Sequence, residues 1–401
     1  MAKASKVSIV RTDASQELDP AQDPLAPHSI RHLVARYGSP LFIIDAGRVR
    51  AQYERLAAAL PGVDLHYAVK SLPHASVVDT LRAAGAYFDL ATNGEVDLVR
   101  RLGVLPERCI HTHPIKRDGD IRTALSFGVT RFVVDNPDEL RKFAKFRTRA
   151  SLMIRVAFRS DAVCDFSRKF GCEPNAVPDL LALAAKLHVK VEGLSFHAGS
   201  QASGPAMHVE AIEVCRGLIE QAARRGHKLD TLDIGGGFPV DYLERAIPIE
   251  EFCAPICRAL SLLEPPMRII AEPGRYIAAP AAVAVSSVMG CALRDGRWWY
   301  YLDDGVYGSY SGQMYDHASY PIECLAPAGP TLPSVLAGPT CDGIDVINER
   351  MELPKLKNGD LIVGRSMGAY TWACASEFNF FPRPTVLTLD RGRLWREGVE
   401  R

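Results

Sequence analysis

The chain has 401 residues, with 47 Lys and Arg balanced by 47 Asp and Glu, and 47% of it is hydrophobic. Zero net charge leaves no electrostatic reason to expect a nucleic acid or an anionic membrane surface as partner. The length admits a large core divided into two or three domains.

The stretch 1–27, ending QELDPAQDPLAP, is polar and rich in Pro and Asp and reads as a flexible arm. A short helical piece, SIRHLVARYG, leads into a strand-like PLFIID (40–45) and a helix, AGRVRAQYERLAAAL. From residue 63 strands and helices alternate. Strands are read at 63–70, 86–92, 109–114, 131–136, 151–158, 191–198, 231–237 and 268–274. Helical patterns such as ASVVDTLRAAG, NPDELRKFAKF and HVEAIEVCRGLIEQAARRG lie between them. Such alternation predicts a parallel sheet, and eight strands over about 210 residues match a closed (β/α)8 barrel.

Past residue 280 the segments RWWYYLDDGVYGSY, TLPSVLAGP, DLIVGRS and PTVLTLD are β-rich with little helix, predicting a mostly antiparallel second domain. The domain reading is therefore a barrel over 40–280, with 28–39 and 281–401 forming the β-rich domain. The most apolar stretch, YIAAPAAVAVSSVMGCAL (276–293), is interrupted by Pro280 and two serines and reads as a buried strand, not a membrane span. Ten cysteines, Cys164 among them, are scattered without metal or thiol-redox spacing, and no signal peptide is visible. The expected setting is a reducing cytoplasm.

Barrel enzymes carry their chemistry at the C-terminal ends of the strands. Here those ends bear Lys70, Asp89, His113, Asn136, Arg155, His197, Gly235 to Gly237, and Glu272 followed by Gly274 and Arg275. Two or three such residues are the ordinary polar starts of loops; eight in register are more than capping requires. DIGGGFP leaves Gly235, Gly236 and Gly237 without side chains, so that backbone N–H groups can close round an anion after strands 7 and 8, where barrels hold phosphate. A lysine opposite a phosphate cradle points to pyridoxal phosphate held as a Schiff base by Lys70. Glu272 would hold a proton on the pyridine nitrogen and His197 would lie against the ring. Asp89 and Arg155 either order that neighbourhood or form a structural ion pair. His111 and His113 share a strand face but lack a metal-ligand partner nearby; they, His66 and His74 read as packing or loop-anchoring residues, and no metal is expected.

AVK, FDLAT, SFHAGSQ, DIGGGFP, AEPGRY, DDGVYGSY, YDHA, GPTCDGID and GAYT, in this order from about residue 40 to 385, resemble the fold-type III pyridoxal-phosphate amino-acid decarboxylases. The resemblance implies an alanine-racemase-like barrel plus β-domain, assembled as a head-to-tail homodimer with two shared sites. By it, Lys70 is the cofactor lysine, Glu272 the ring-nitrogen partner and His197 the stacking residue, with Ser200, Gly237, Arg275 and Tyr370 on the phosphate. It further implies that Cys341 of the second subunit reprotonates the α-carbon, and that Lys169 and Asp345 pair across the dimer.

For the substrate, the diaminopimelate branch typically has CES where this chain has CDG. YDHA and TCDG supply Asp316 and Asp342, which match positions contacting the far amine in ornithine decarboxylases, with Tyr307 and Phe378 alongside. The resemblance thus implies decarboxylation of a basic L-amino acid, ornithine first and lysine second. Diaminopimelate, or a modified diamino acid of secondary metabolism, is the alternative, because AVKSLPH and FNFF, with Phe380 in place of a usual glycine, depart from the ornithine pattern. A racemase is disfavoured by the acid at position 272. An inactive regulatory homologue would be expected to have lost Lys70 or Cys341.

Overall fold

The computed structural model describes residues 25–159, 167–264, 266–326 and 329–396. The expected arm up to residue 24 and Cys164 lie outside the described residues. Leu25 is buried and a helix already begins at Pro27, so the last residues assigned to the arm are ordered.

Two compact units divide the chain, one holding the residues up to Val49 and from Ala278 on, the other Arg50–Ile277. The second is the barrel. Its strands are β2 (Val63–Ala68), β3 (Tyr87–Leu90), β4 (Cys109–His111), β5 (Arg131–Val134), β6 (Ser151–Arg155), β7 (Lys190–Ser195), β8 (Thr231–Asp233) and β9 (Arg268–Ala271), numbered after β1 (Leu41–Asp45). All pairings are parallel, and β2 closes on β9. Ile110, Val133, Met153 and Ile270 form one buried cluster. As β5 and β9 lie on opposite sides of the ring, these residues can only meet inside it. Asp89 pairs in register with Ile110, and Asp233 with Ile270, so both acids share that inward face.

The strand ends are shorter than expected because polar residues leave the ladder early. Lys70 stands in the 3-10 turn Val69–Ser71 that directly follows β2, and is not part of the strand. Asn136 caps the helix Pro137–Lys142, accepting from the amides of Asp138 and Glu139 at 3.0 Å each.

The other unit is a nine-stranded sheet in which β1 joins β10 (Ala282–Arg294), β11 (Arg297–Leu302), β12 (Ile322–Cys324), β13 (Thr331–Ala337), β14 (Val346–Pro354), β15 (Leu361–Gly364), β16 (Thr385–Asp390) and β17 (Arg393–Arg396). Pairings are antiparallel except β1 with β16 and β11 with β13. The strand at 40–45, expected within the barrel domain, instead lies between β10 and β16. Leu41 and Ile43 there join a core with Leu25, Ile30, Val283, Val363 and Leu387. No helix among the described residues is long and apolar enough to cross a membrane.

Candidate active site

Lys70 donates to the Asp89 carboxylate at 3.4 Å; Asp89 is buried while the lysine is open to solvent. Thr112, beyond the end of β4, donates a short hydrogen bond to the other Asp89 oxygen and fixes the carboxylate. Glu95 lies near the pair, and burial followed by the Asp89 charge pushes it up to about 7. An amine beside a buried, doubly held carboxylate is tethered at the strand end, unlike an ordinary surface lysine.

On the neighbouring strand, Glu272 follows β9, which pairs with β2, and adjoins Asp233, the last residue of β8. Burial and the Asp233 charge hold Glu272 well above the carboxylate range, and burial also raises Asp233. Asp233 Oδ1 accepts from Gly235 N at 2.9 Å. The pair therefore keeps a proton to offer to a basic nitrogen.

His197 follows β7. Its Nδ1 accepts from Gly199 N at 3.1 Å, placing the proton on Nε2. Desolvation, then the cations of Arg155 and Lys70, hold it well below the imidazole range, so it is neutral. Arg155 itself, at the end of β6, lies over the Phe170 ring at 5.5 Å.

The three glycines are sterically required. A Cβ on Gly236 would lie 2.8 Å from the Glu272 carbonyl oxygen and 3.1 Å from His197 Nε2, and one on Gly237, at φ +106°, would lie 2.6 Å from Gly199 O. His208, which sequence reasoning missed, donates Nε2–H to Gly236 O at 3.0 Å and stacks on Phe238. Arg275 is buried and donates to Ser200 Oγ at 2.9 and 3.2 Å and to Tyr242 Oη at 2.8 Å.

The bland roles expected for several histidines hold. His66 bonds Asp64 O and stacks on Tyr87, His74 caps the helix Ala75–Ala83, and His113 accepts from Ile115 N and packs on Phe170. His111 is buried against Phe132 outside the barrel ring, and no metal-binding cluster occurs among the described residues. Lys116, unremarked in the sequence, is buried and donates to the carbonyls of His113, Pro114 and Val133, tying the loop after β4 to the end of β5.

In the β-rich unit a second constellation forms on loops. Tyr307 donates a short hydrogen bond to Asp342, which lowers the Asp342 pKa, and stacks on Phe378 at 4.6 Å. Asp345 is 2% exposed, and its carboxylate accepts from Val306 N and Thr340 N at 2.9 Å each. Its bonds anchor the Cys341–Asp342 loop within its own chain. Lys169, the residue the resemblance pairs with it, is exposed and lies over Phe170. Asp316 ends the short helix Gly312–Asp316 near Cys374, Cys341 is exposed, and Tyr370 follows β15 with φ +57°.

A closed parallel barrel with a tethered lysine, a proton-holding carboxyl pair and a glycine cradle at its strand ends has the chemistry to take an anionic cofactor with a reactive carbonyl. The model of the pyridoxal-dependent decarboxylase family, pyridoxal binding domain, matches residues 46–279, and the chain belongs to that family. A lysine/ornithine decarboxylase from Selenomonas ruminantium is 35% identical over 370 residues, covering 92% of this chain and 94% of that protein. The crystal structure of a lysine/ornithine decarboxylase from Vibrio vulnificus complexed with putrescine has 52% identity and a TM-score of 0.87, covering 91% of this chain and 98% of that one. Antizyme inhibitor 2 from Xenopus laevis is 38% identical over 365 residues, covering 86% of this chain and 80% of that protein.

The cofactor of the family is pyridoxal 5′-phosphate, and the residues present fit it. The glycine cradle excludes side chains where a phosphate needs backbone N–H groups. The buried Glu272–Asp233 pair holds the proton a pyridine nitrogen requires, and the neutral His197 can face a cationic ring without repulsion.

Proposed function

We propose that this chain decarboxylates L-ornithine to putrescine, with L-lysine as second substrate, in the cytoplasm and as a homodimer whose sites are shared. The observation that carries the substrate reading is the Asp342 carboxylate, which accepts the Tyr307 hydroxyl hydrogen bond that lowers its pKa and sits beside the Tyr307–Phe378 stack. A fixed carboxylate beside an aromatic face suits a distal ammonium rather than a distal carboxylate. Asp316 is the second acid of that subsite. The relatives named for lysine and ornithine support the same choice.

In this reading Lys70 holds the cofactor aldehyde carbon. Gly235 to Gly237, Gly274, Ser200, Arg275 and Tyr370 hold the phosphate, while Asp89 and Arg155 order the groups round Lys70 and Glu272. When bound, the protonated pyridine ring accepts the electron pair that carbon dioxide leaves behind. Glu272 keeps the proton on the ring nitrogen, His197 covers one face and orients the ring, and Cys341 delivers a proton to the α-carbon. Its thiolate is then reprotonated from water. Lys70 would supply the amine that displaces the diamine product. Both Lys70 and Cys341 are present, which favours an enzyme over a regulator such as the relative named antizyme inhibitor.

The shared site makes a sharp test. Lys70→Ala and Cys341→Ala chains should each be nearly inactive, and equal mixing with subunit exchange should restore about a quarter of wild-type activity. This follows because half the dimers are mixed and each carries one intact site. No recovery on mixing would sink the shared site. Carbon dioxide release from meso-diaminopimelate, but not from ornithine or lysine, would sink the substrate assignment.

A further inference from the structure

Asn379 and Phe380 both have left-handed backbone, at φ +57° and +60°. That conformation disfavours a residue with a side chain by about 1–2 kcal/mol, asparagine least of all. Phe380 is 97% exposed, so burial of its ring within the chain offsets none of this. What the turn accomplishes lies on either side of it. Phe378 is laid on Tyr307, and Asn379 Oδ1 accepts the Cys341 N–H at 3.0 Å across 38 residues.

The rest of the Cys341 loop is fastened elsewhere. Asp345 takes the amides of Val306 and Thr340, Gly338 N donates to Asp345 O at 2.8 Å, and Asp342 takes the Tyr307 hydroxyl and Ile344 N. Asp342 N also donates to Thr340 Oγ1 at 3.4 Å, and none of these bonds engages the Cys341 amide itself. Asn379 holds that peptide.

We infer that Asn379 is a positioning residue: its side-chain carbonyl fixes the Cys341 backbone and thereby decides which carbon receives the Cys341 proton. The inference rests on the reading of Cys341 as proton donor. In the productive step the S–H bond breaks, and a C–H bond forms at the α-carbon with the electron pair left by carbon dioxide. A proton placed instead on the cofactor carbon leads, after addition of one water, to an aldehyde in place of the amine, with the nitrogen left on the cofactor. Misplacement of the thiol therefore shows as a change of product as well as of rate.

The test uses the holoenzyme with ornithine, measuring diamine and trapped aldehyde together, alongside thermal melting. Asn379→Gly removes the acceptor while tolerating the left-handed backbone. Asn379→Asp retains both the acceptor and that tolerance. The glycine variant should lose roughly ten- to a hundred-fold in diamine formation and release a raised fraction of aldehyde at an unchanged melting temperature. The aspartate variant should keep the wild-type product ratio. Wild-type rate and product from the glycine variant would overturn the inference. So would a glycine variant that is slow but makes diamine alone. If the glycine variant does not fold, Asn379→Ser, whose hydroxyl falls short of the Cys341 amide, is read by the same criteria. Cys341→Ala separates the two levels: if it makes diamine alone at full rate, the proton-donor reading falls and this inference with it. If it releases aldehyde while the Asn379 variants behave as wild type, only the inference falls.

Discussion

The two units hold their functional side chains by opposite means. In the barrel, the groups at the strand ends are set by a closed hydrogen-bonded ring, and burial perturbs them strongly: Glu272 upward, His197 downward. In the β-rich unit, Tyr307, Cys341, Asp342 and Asn379 sit on loops, held by hydrogen bonds among themselves, with Ile344, Phe378 and Phe380 exposed beside them. A barrel site is complete once its strands close. A loop cluster that leaves large apolar residues in water is the kind of surface that the proposed homodimer would cover. On the function proposed above, electron flow and cofactor binding fall to the first unit, and substrate choice and proton delivery to the second.

That division can be broken by exchanging one group in each. Glu272→Gln should lower kcat by roughly a hundred-fold or more, since the amide cannot hold a proton on the ring nitrogen as an acid does. Its effect on KM should be small. Asp342→Asn should do the reverse, raising KM for ornithine more than it lowers kcat. Steady-state carbon dioxide release at saturating cofactor reads both. If both variants act on kcat alone, the division of labour between the units is wrong.

How much of this was readable beforehand follows from the same contrast. Register places a polar residue at each strand's C-terminal end, so Lys70, Asp89, Arg155, His197 and Glu272 stood out from an apolar background. Asp233 did not, because it lies inside the apolar run TLDIGGG and only the structure brings it to Glu272. The strand at 40–45 followed by a helix looks like any strand–helix unit. Its partners, β10 and β16, lie hundreds of residues away and leave no local sign. Asn379 escaped for the same reason: a side chain bonding a backbone amide 38 residues distant has no pattern in sequence.

The proton kept inside the barrel also links stability to pH. Asp233 is fully buried and is raised to about 6 from an ordinary 3.8, chiefly by desolvation. Between those values the folded state binds the proton and the unfolded chain does not, so this group removes stability as pH rises through the window. Asp233→Asn keeps an acceptor for Gly235 N and cannot ionise. In cofactor-free protein its stability relative to wild type should therefore improve from pH 4 to pH 7, by about 1–3 kcal/mol, read as the difference between two melting curves at each pH. A difference that stays flat would mean the carboxyl pair is not proton-holding, and the cofactor-nitrogen role of Glu272 would lose its physical basis.

The smallest effect on the chain itself is expected at Phe380, and it bears most directly on the loop unit. Replacing it with glycine relieves left-handed strain but adds backbone freedom to the unfolded state, and these offset to within about 1 kcal/mol. The melting temperature of dilute Phe380→Gly should therefore hardly move. Association is different. If the proposed homodimer buries this ring, the burial contributes about 1.5–3 kcal/mol, and its loss should weaken dimerisation by at least roughly ten-fold in sedimentation equilibrium. Two outcomes then separate cleanly. Weakened association with unchanged folding makes the exposed aromatic loop an interface, and explains why a strained, water-facing ring is kept beside Cys341 and Asp342. Unchanged association leaves Phe380 in solvent, and any cover for the Cys341–Asp342 loop in the proposed dimer must then come from elsewhere than a ring at position 380.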